Sequence, residues 1–364
     1  MIPQASPPLR IARFRKEVDL AISNTLSSSN YILGPAVERF ESEFATYTGL
    51  QHCVGVASGT DALALALRAM GIKSGDEVIT TALTFSGTAQ AILHCGAQPR
   101  FVDVDPMSRC IAPAAIEAAI THKTAAIIPV HLFGHAADMP RIMDIADRHH
   151  LAVVEDCAQA HGASINGRLL GSFGHAAAYS FYPTKNLGAI GDAGAIITND
   201  ETLRNRLRSL RHYGTEGGQK ISQTIGFNSR MDELQAAILS VMLKHLDEGN
   251  RERRALADEY RRELAGLDLT LPQDHAGAVY HQFAIEFKDR DKLADQLLKQ
   301  KQITTAIHYS PPLHRHPAFK DTVVSSLIHT ERLSAQLLSL PIQPEVAGGN
   351  VSSIARSIAE IIQS

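Results

Sequence analysis

An excess of basic charge is missing: 35 Lys and Arg against 38 Asp and Glu leave a formal charge of −3 over 364 residues. That balance excludes the broad cationic field with which a protein holds nucleic acid or an anionic membrane. Long hydrophobic runs are missing too, since none approaches the roughly 18 residues that suggest a membrane span. Cysteine is sparse: Cys53, Cys95, Cys110 and Cys157 lie far apart with no Cys-x-x-Cys pair, so neither a disulfide framework nor a zinc ribbon is indicated. Tryptophan is absent, and the opening Met1-Ile2-Pro3-Gln4 lacks the basic and then apolar regions of a secretory signal. What is left is the expectation of a soluble, cytoplasmic chain, long enough at roughly 150 residues per domain for two domains, with enzyme as the leading class.

Apolar runs of strand length recur through the first two-thirds of the chain. They predict strands at His52–Ala57, Glu77–Thr80, Arg100–Val104, Thr124–Val130, Leu151–Asp156, Ala176–Phe181 and Gly194–Thr198. Several are apolar throughout, as strands buried on both faces of a mainly parallel sheet are. Helical periodicity separates them. Val37, Phe40, Phe44 and Tyr47 mark one face, Asp138 reads as a cap ahead of Met139, Ile142, Met143 and Ala146, and Leu203, Leu207 and Leu210 form a stripe. The predicted fold class is α/β, a seven-stranded sheet flanked by helices. From Met231 to about Leu264 one long helix is expected. Strands at Leu267–Leu271, Gln282–Phe287 and Ile303–His308 and a polar final helix follow, giving a large domain of 1–240 and a smaller α+β domain of 241–364.

The common nucleotide motifs do not occur. No Gly-x-Gly-x-x-Gly follows a predicted strand and there is no P-loop; Gly188, Gly191 and Gly194 have the wrong spacing. Three other features carry chemistry. Lys185 lies in a loop just past the buried strand ending at Phe181, where a poorly hydrated amine favours its neutral form and can act as nucleophile or base. Taken alone it also reads as a lysine snorkelling at a domain edge. Asp156 closes another buried strand at the carboxyl edge, where α/β proteins bind ligands, and alternation turns it away from Glu155. Alone it also reads as a helix cap. Ser58-Gly59-Thr60-Asp61 joins a strand to a helix, leaving backbone N–H groups at the positive end of the helix dipole as a phosphate seat, or as an ordinary N-cap. Together, a phosphate seat, a strand-end carboxylate and a strand-end lysine are what pyridoxal phosphate requires. Thr84-Phe85 follows a predicted strand and offers an aromatic face for the ring.

The sequence at this point resembles the DegT/DnrJ/StrS family of sugar aminotransferases, pyridoxal-phosphate enzymes of fold type I. The likeness is carried by Leu33-Gly34-Pro35, Ser58 to Leu63, Thr84-Phe85, Val130 to Gly134, Glu155 to Gly162, Ser180 to Gly188 and Gly226 to Ala237, pieces spread over most of the chain. Position by position, the resemblance implies that Lys185 is the Schiff-base lysine and Asp156 the partner of the ring nitrogen. Gln159 would meet the ring hydroxyl and Phe85 would stack on the ring. Gly59, Thr60, Asp61 and Ser180 would hold the phosphate. Asn228 would reach the phosphate of a neighbouring subunit, implying a homodimer with shared sites.

The implied reaction moves an amino group from glutamate to a nucleotide-linked ketosugar, with pyridoxamine phosphate as the other cofactor form. Tyr182, His308 and Tyr309, with Pro311, Pro312 and His314, resemble members that aminate carbon 3 of nucleotide-linked 3-keto-6-deoxyhexoses, and are expected sugar contacts. For His308 and Tyr309 simple packing of a strand end against the prolines is an equal reading. Amination at another carbon is the alternative substrate reading. A related branch that dehydrates sugars has histidine in place of the lysine, and position 185 is Lys. One departure is Ala193, where the family usually carries glycine. The rival from another class is a non-catalytic sensor that keeps the cofactor fold, but no DNA-binding segment is appended. His131 and His135 have metal-like spacing, yet Gly134 argues against a helix there, and no metal is expected. Arg204, Arg208 and Arg211 are expected to form a solvated helix face, with a diphosphate contact as the lesser reading.

Overall fold

The buried apolar runs become a central sheet in the computed structural model, which describes residues 1–216 and 220–363. Its strands are β1 (His52–Val56), β2 (Glu77–Thr81), β3 (Gln98–Val102), β4 (Thr124–Ile127), β5 (Ala152–Asp156), β6 (Ala176–Ser180) and β7 (Gly194–Thr198). Further along come β8 (Phe283–Glu286), β9 (Val323–Val324) and β10 (Leu337–Leu340). The order across the sheet is β1-β7-β6-β5-β4-β2-β3-β9. Only β7 runs antiparallel to its neighbours, β1 and β6; the other pairings are parallel. All seven expected strands are present. The two-residue β9 adds an eighth, pairing Val323 with Arg100 and Val324 with Phe101.

Helices cover both faces, and local chemistry sets their ends. The helix Gly59–Ala69 starts where Ser58 Oγ accepts the Asp61 N–H, and buries Leu63, Leu65 and Leu67. The helix Pro35–Thr48 opens on a proline and stops at Gly49, whose φ of 72° lies in the left-handed region that favours glycine. Its free N-terminal donors are satisfied from afar: the Glu233 carboxylate accepts the N–H groups of Gly34, Ala36 and Val37 at 2.8–2.9 Å. On the same face Phe181 sits edge-on to Phe40 and Phe44, with ring centroids 5.3 and 5.4 Å apart. This buried ring anchors the chain between Ser180 and the loop that carries Lys185.

Three expectations for the later chain are corrected. The single long helix is two, Glu233–Leu243 and Leu246–Glu263, with a break at Lys244 and His245. The step from Val241 to Leu246 is five residues, so a straight helix cannot keep both on one face; His245 turns to stack on Phe14 at 4.0 Å. Of the three strands expected beyond residue 264, only the middle one forms, as β8. Thr270 and Ala306 make isolated bridges, and β8 pairs with β10. Leu337–Leu340 escaped notice because Leu333 and Leu337 continue the helical step of the preceding helix Ile328–Gln336. The final helix, Val351–Gln363, is amphipathic rather than polar, burying Val351, Ile354, Ala355 and Ile358. It closes a second core around Tyr260, Phe283, Leu338 and Leu340. Among the described residues no helix is long and apolar enough to cross a membrane.

Candidate active site

At the carboxyl edge of β5, alternation gives neighbouring acids opposite tasks. Glu155 is fully buried and spent on structure: its carboxylate accepts the N–H groups of Gly171, Phe173 and Gly174 at 2.7–2.9 Å and bonds His131 Nε2 at 3.0 Å. Asp156 faces the other way, with Thr88 Oγ1 donating at 2.9 Å and the Ala158 N–H at 3.1 Å. Burial raises the Asp156 pKa, against the pull of Thr88, Ala158 and the charge of Lys185. Among the described residues no cation pairs with Asp156 within salt-bridge distance. A buried carboxylate in this state gains most from a ligand that brings it a cation.

His131, Glu155 and Cys157 have ligand atoms within 4.8 Å of one another, but the trio is already occupied. His131 Nδ1 accepts the Ala137 N–H at 3.1 Å, so Nε2 holds the proton shared with Glu155 and offers no lone pair to a metal. His135 lies apart, bonded to the Gln273 carbonyl. The segment between the two histidines is a short 3-10 turn rather than an α-helix.

The turn Ser58 to Asp61 lies against two other loops. A Cβ on Gly59 would stand 2.6 Å from Ser180 Cβ, and one on Gly87 would stand 2.6 Å from Thr60 Oγ1 and 3.1 Å from the Phe85 ring. The three segments therefore meet with no room for a further methyl. Among the described residues the Gly59 and Thr60 N–H groups find no protein acceptor, and they stand at the positive end of an eleven-residue helix. Asp61 is expected to act through its backbone; here its N–H donates to Ser58 Oγ at 3.1 Å and its carboxylate accepts Ser229 Oγ at 2.6 Å. We expect Gly59→Ala to displace Ser180 at an overpacking cost of about 1–3 kcal/mol. Equilibrium dialysis should then show cofactor affinity about 10- to 100-fold weaker.

Lys185 is half-buried in the loop after β6, held by a turn in which its N–H donates to the Tyr182 carbonyl at 2.8 Å. Burial lowers its pKa to about 8, with the Asp156 charge opposing that shift. Gln159 is buried and bridges two segments: its Oε1 accepts the Phe133 N–H at 2.7 Å and its Nε2 donates to Tyr309 Oη at 2.8 Å. Tyr309 is near Asp156, whose charge, after burial, raises the phenol pKa. The Phe85 ring, 58% exposed, is tilted toward it at 6.1 Å. Next along the chain, His308 Nδ1 meets Ser339 Oγ at 2.9 Å. Burial and then the Lys185 charge lower the His308 pKa to about 4, so it stays neutral near pH 7.

Lys185, Asp156, Gln159, Phe85 and Tyr309 are thus joined in one cluster by a hydrogen bond, a ring contact and the mutual action of their charges. Tyr182 is 52% exposed. Asn228 is exposed next to Ser229, and among the described residues its side chain makes no hydrogen bond. Thr88 escaped the sequence reading, because nothing in Gly87-Thr88 distinguishes an acid's hydrogen-bond donor from a helix residue. The expected solvated face of arginines needs correction at Arg211, which is 4% exposed and bonds Glu41 at 2.5 Å and the Gly55 carbonyl at 2.8 Å. A guanidinium there reaches back past the helix end, which periodicity alone does not reveal.

Pyridoxal phosphate fits these residues. A cradle that one Cβ would fill supplies free N–H groups for a phosphate, and a buried acid without a cation suits a protonated ring nitrogen. The model of the DegT/DnrJ/EryC1/StrS aminotransferase family matches residues 13–359. A UDP-N-acetyl-3-dehydro-alpha-D-glucosamine 3-aminotransferase of Acidithiobacillus ferrooxidans is 45% identical, covering 98% of this chain and 97% of its own. A dTDP-3-amino-3,4,6-trideoxy-alpha-D-glucose transaminase of Streptomyces venezuelae is 46% identical over 91% of this chain and 88% of its own. Among solved structures, S. venezuelae DesV in complex with a ketimine intermediate superposes with a TM-score of 0.96 at 42% identity, covering 100% of this chain and 99% of that one. The fold, the site and these relatives agree: this chain belongs to the DegT/DnrJ/EryC1/StrS family of pyridoxal-phosphate-dependent aminotransferases.

Proposed function

We propose that the protein transfers the amino group of glutamate to carbon 3 of a nucleotide-linked 3-keto-6-deoxyhexose. The observation that carries the transamination reading is the placing of a buried acid without a cation, Asp156, held by Thr88 and the Ala158 N–H and near enough to Lys185 for their charges to interact, together with the tight Gly59–Ser180 cradle. Carbon 3 is supported by the run Tyr182 to Gly188, by His308 and Tyr309, and by the two sugar-aminating relatives, whose names both place nitrogen at that carbon.

In this reading the bound cofactor supplies an electron-accepting ring beside the carbon that loses or gains a proton. The protein does the rest. Lys185 Nζ would hold the cofactor and, as a free amine, would move the proton, a contribution on the order of 100- to 10,000-fold. Asp156 would keep the ring nitrogen protonated, and Thr88 and the Ala158 N–H hold that carboxylate in place. The backbone at Gly59 and Thr60, with Ser180, would hold the phosphate, Phe85 would cover the ring, and Gln159 would meet its hydroxyl. Tyr182, His308 and Tyr309 would contact the sugar. We place the small domain's start near residue 240, so that His308 and Tyr309 approach the cluster from a second domain.

A homodimer completes the proposal. Asn228 lies beside exposed Tyr213 and Ile225, the latter 82% exposed, an apolar rim suited to a second copy of the chain. A cytoplasmic setting accords with four free, buried cysteines.

Glutamate added to the purified yellow protein should bleach the visible band and release one equivalent of 2-oxoglutarate. A dTDP-linked 3-keto-6-deoxyhexose should then restore the colour and acquire nitrogen at carbon 3 by NMR. Failure to release 2-oxoglutarate would exclude transfer from glutamate and leave room for the sensor reading. Nitrogen found at another carbon would exclude the substrate assignment alone.

A further inference from the structure

The helix Pro7–Arg13 sends one cation into the catalytic face. Arg10 is 7% exposed, and its guanidinium gathers three carbonyl groups of the lysine loop. Nη1 donates to the Lys185 carbonyl at 2.5 Å and to the Asn186 carbonyl at 3.3 Å, while Nη2 donates to the Pro183 carbonyl at 2.6 Å. Among the described residues no carboxylate lies within salt-bridge distance of it, and Glu345 acts only at longer range. A buried arginine matched by carbonyl dipoles in place of an acid is costly, so the contact has to be offset by what it fixes.

A second observation concerns the loop itself. A Cβ on Gly188 would collide with Arg10 Nη2 and lie 2.8 Å from the Pro183 carbonyl oxygen and 3.0 Å from that of Tyr182. The glycine of Lys185-Asn-Leu-Gly188 therefore leaves the space that the guanidinium fills. The N-terminal arm bearing Arg10 is tied at its other end to the C-terminal segment. Ile2 bridges Ile303, the Gln4 N–H donates to Thr304 Oγ1 at 2.7 Å, and the Ser6 N–H donates to Gln343 Oε1 at 2.7 Å.

We propose that Arg10 is the positioning residue of Lys185. Its hydrogen bonds all go to carbonyls of the lysine loop, so it acts through the backbone from which the amine projects and links that backbone to the C-terminal half. A planar fork can span three carbonyls, whereas the ammonium of a lysine is a point charge that bonds them one or two at a time. Displacing a reacting group by about 1 Å costs on the order of 100-fold in rate.

This inference rests on Lys185 as the cofactor-bearing lysine, so the test includes a Lys185→Ala control. The holoenzymes of Arg10→Gln and Arg10→Lys are compared with wild type for kcat, KM for glutamate, the rate of cofactor loss on dilution, and the pH at which the visible band titrates. For Arg10→Gln we expect kcat to fall about 10- to 100-fold with KM for glutamate changed less than threefold, faster cofactor loss and a displaced titration. Arg10→Lys should recover part of each. If Arg10→Gln fails to fold, Arg10→Lys alone should still show the displaced titration. Wild-type titration and cofactor retention in whichever variant folds would overturn the proposal, even if kcat fell. A visible band that survives in Lys185→Ala would instead overturn the assignment of Lys185.

Discussion

Lys185→Ala is expected to lose the visible absorption of the bound cofactor and transamination together, with turnover down by at least about 1,000-fold. Two roles vanish with one amine: the covalent tether, and the proton carrier that by itself typically contributes on the order of 100- to 10,000-fold. The pH behaviour carries the same signature. Burial brings the Lys185 pKa from 10.5 to about 8, so the neutral, nucleophilic amine grows as pH rises through about 8. The rate at which cofactor-free protein captures pyridoxal phosphate should climb over that interval. Stability moves in the same direction: between about pH 8 and 10.5 the unfolded chain holds a proton that the folded chain has released, so folding of the cofactor-free protein strengthens as pH rises. The alanine variant should lack both trends. A variant that keeps the band would show that another amine holds the cofactor.

Asp156→Asn carries the second large effect. The substitution keeps size and, with the amide oxygen on the Ala158 N–H and the Thr88 hydroxyl switched to accept from the amide nitrogen, keeps both contacts while removing the charge that would hold a proton on the ring nitrogen. We expect binding to be retained and turnover to fall about 100- to 1,000-fold, the range seen when one preorganised electrostatic partner is lost. The asparagine variant should also melt at least as high as wild type when free of cofactor. A buried carboxylate without a cation opposes folding, as the raised pKa of Asp156 records, and the amide does not. Unchanged turnover would take Asp156 out of the role.

These two residues were legible because Asp156 closes a strand buried on both faces and Lys185 lies in the loop just past another, at the edge where such sheets bind ligands. The strands were legible for the same cause: Val153-Val154 and Ala176 to Ala178 have no polar face to hide. The phosphate seat was legible as a pattern, Ser-Gly-Thr-Asp at the start of a helix, and the close approach of Gly59 to Ser180 gives that glycine its physical reason.

What sequence could not reveal depends on contacts between distant positions. Gln159 and Tyr309 are bonded across 150 residues, and Arg10 reaches a carbonyl 175 residues away. No local periodicity encodes either. Arg211 read as surface by its spacing, yet the carboxylate of Glu41 draws it inward. The long helix was broken for a reason that is visible only once two faces must be buried against different partners.

The central claim is that one amine, at position 185, tethers the cofactor. Borohydride reduction of the purified holoprotein, followed by proteolysis and mass spectrometry, tests it directly. The account predicts a reduced phosphopyridoxyl group on the peptide that contains Lys185 and on no other lysine. Its recovery on a different lysine, or recovery of the Lys185 peptide unmodified from fully coloured protein, would contradict the account.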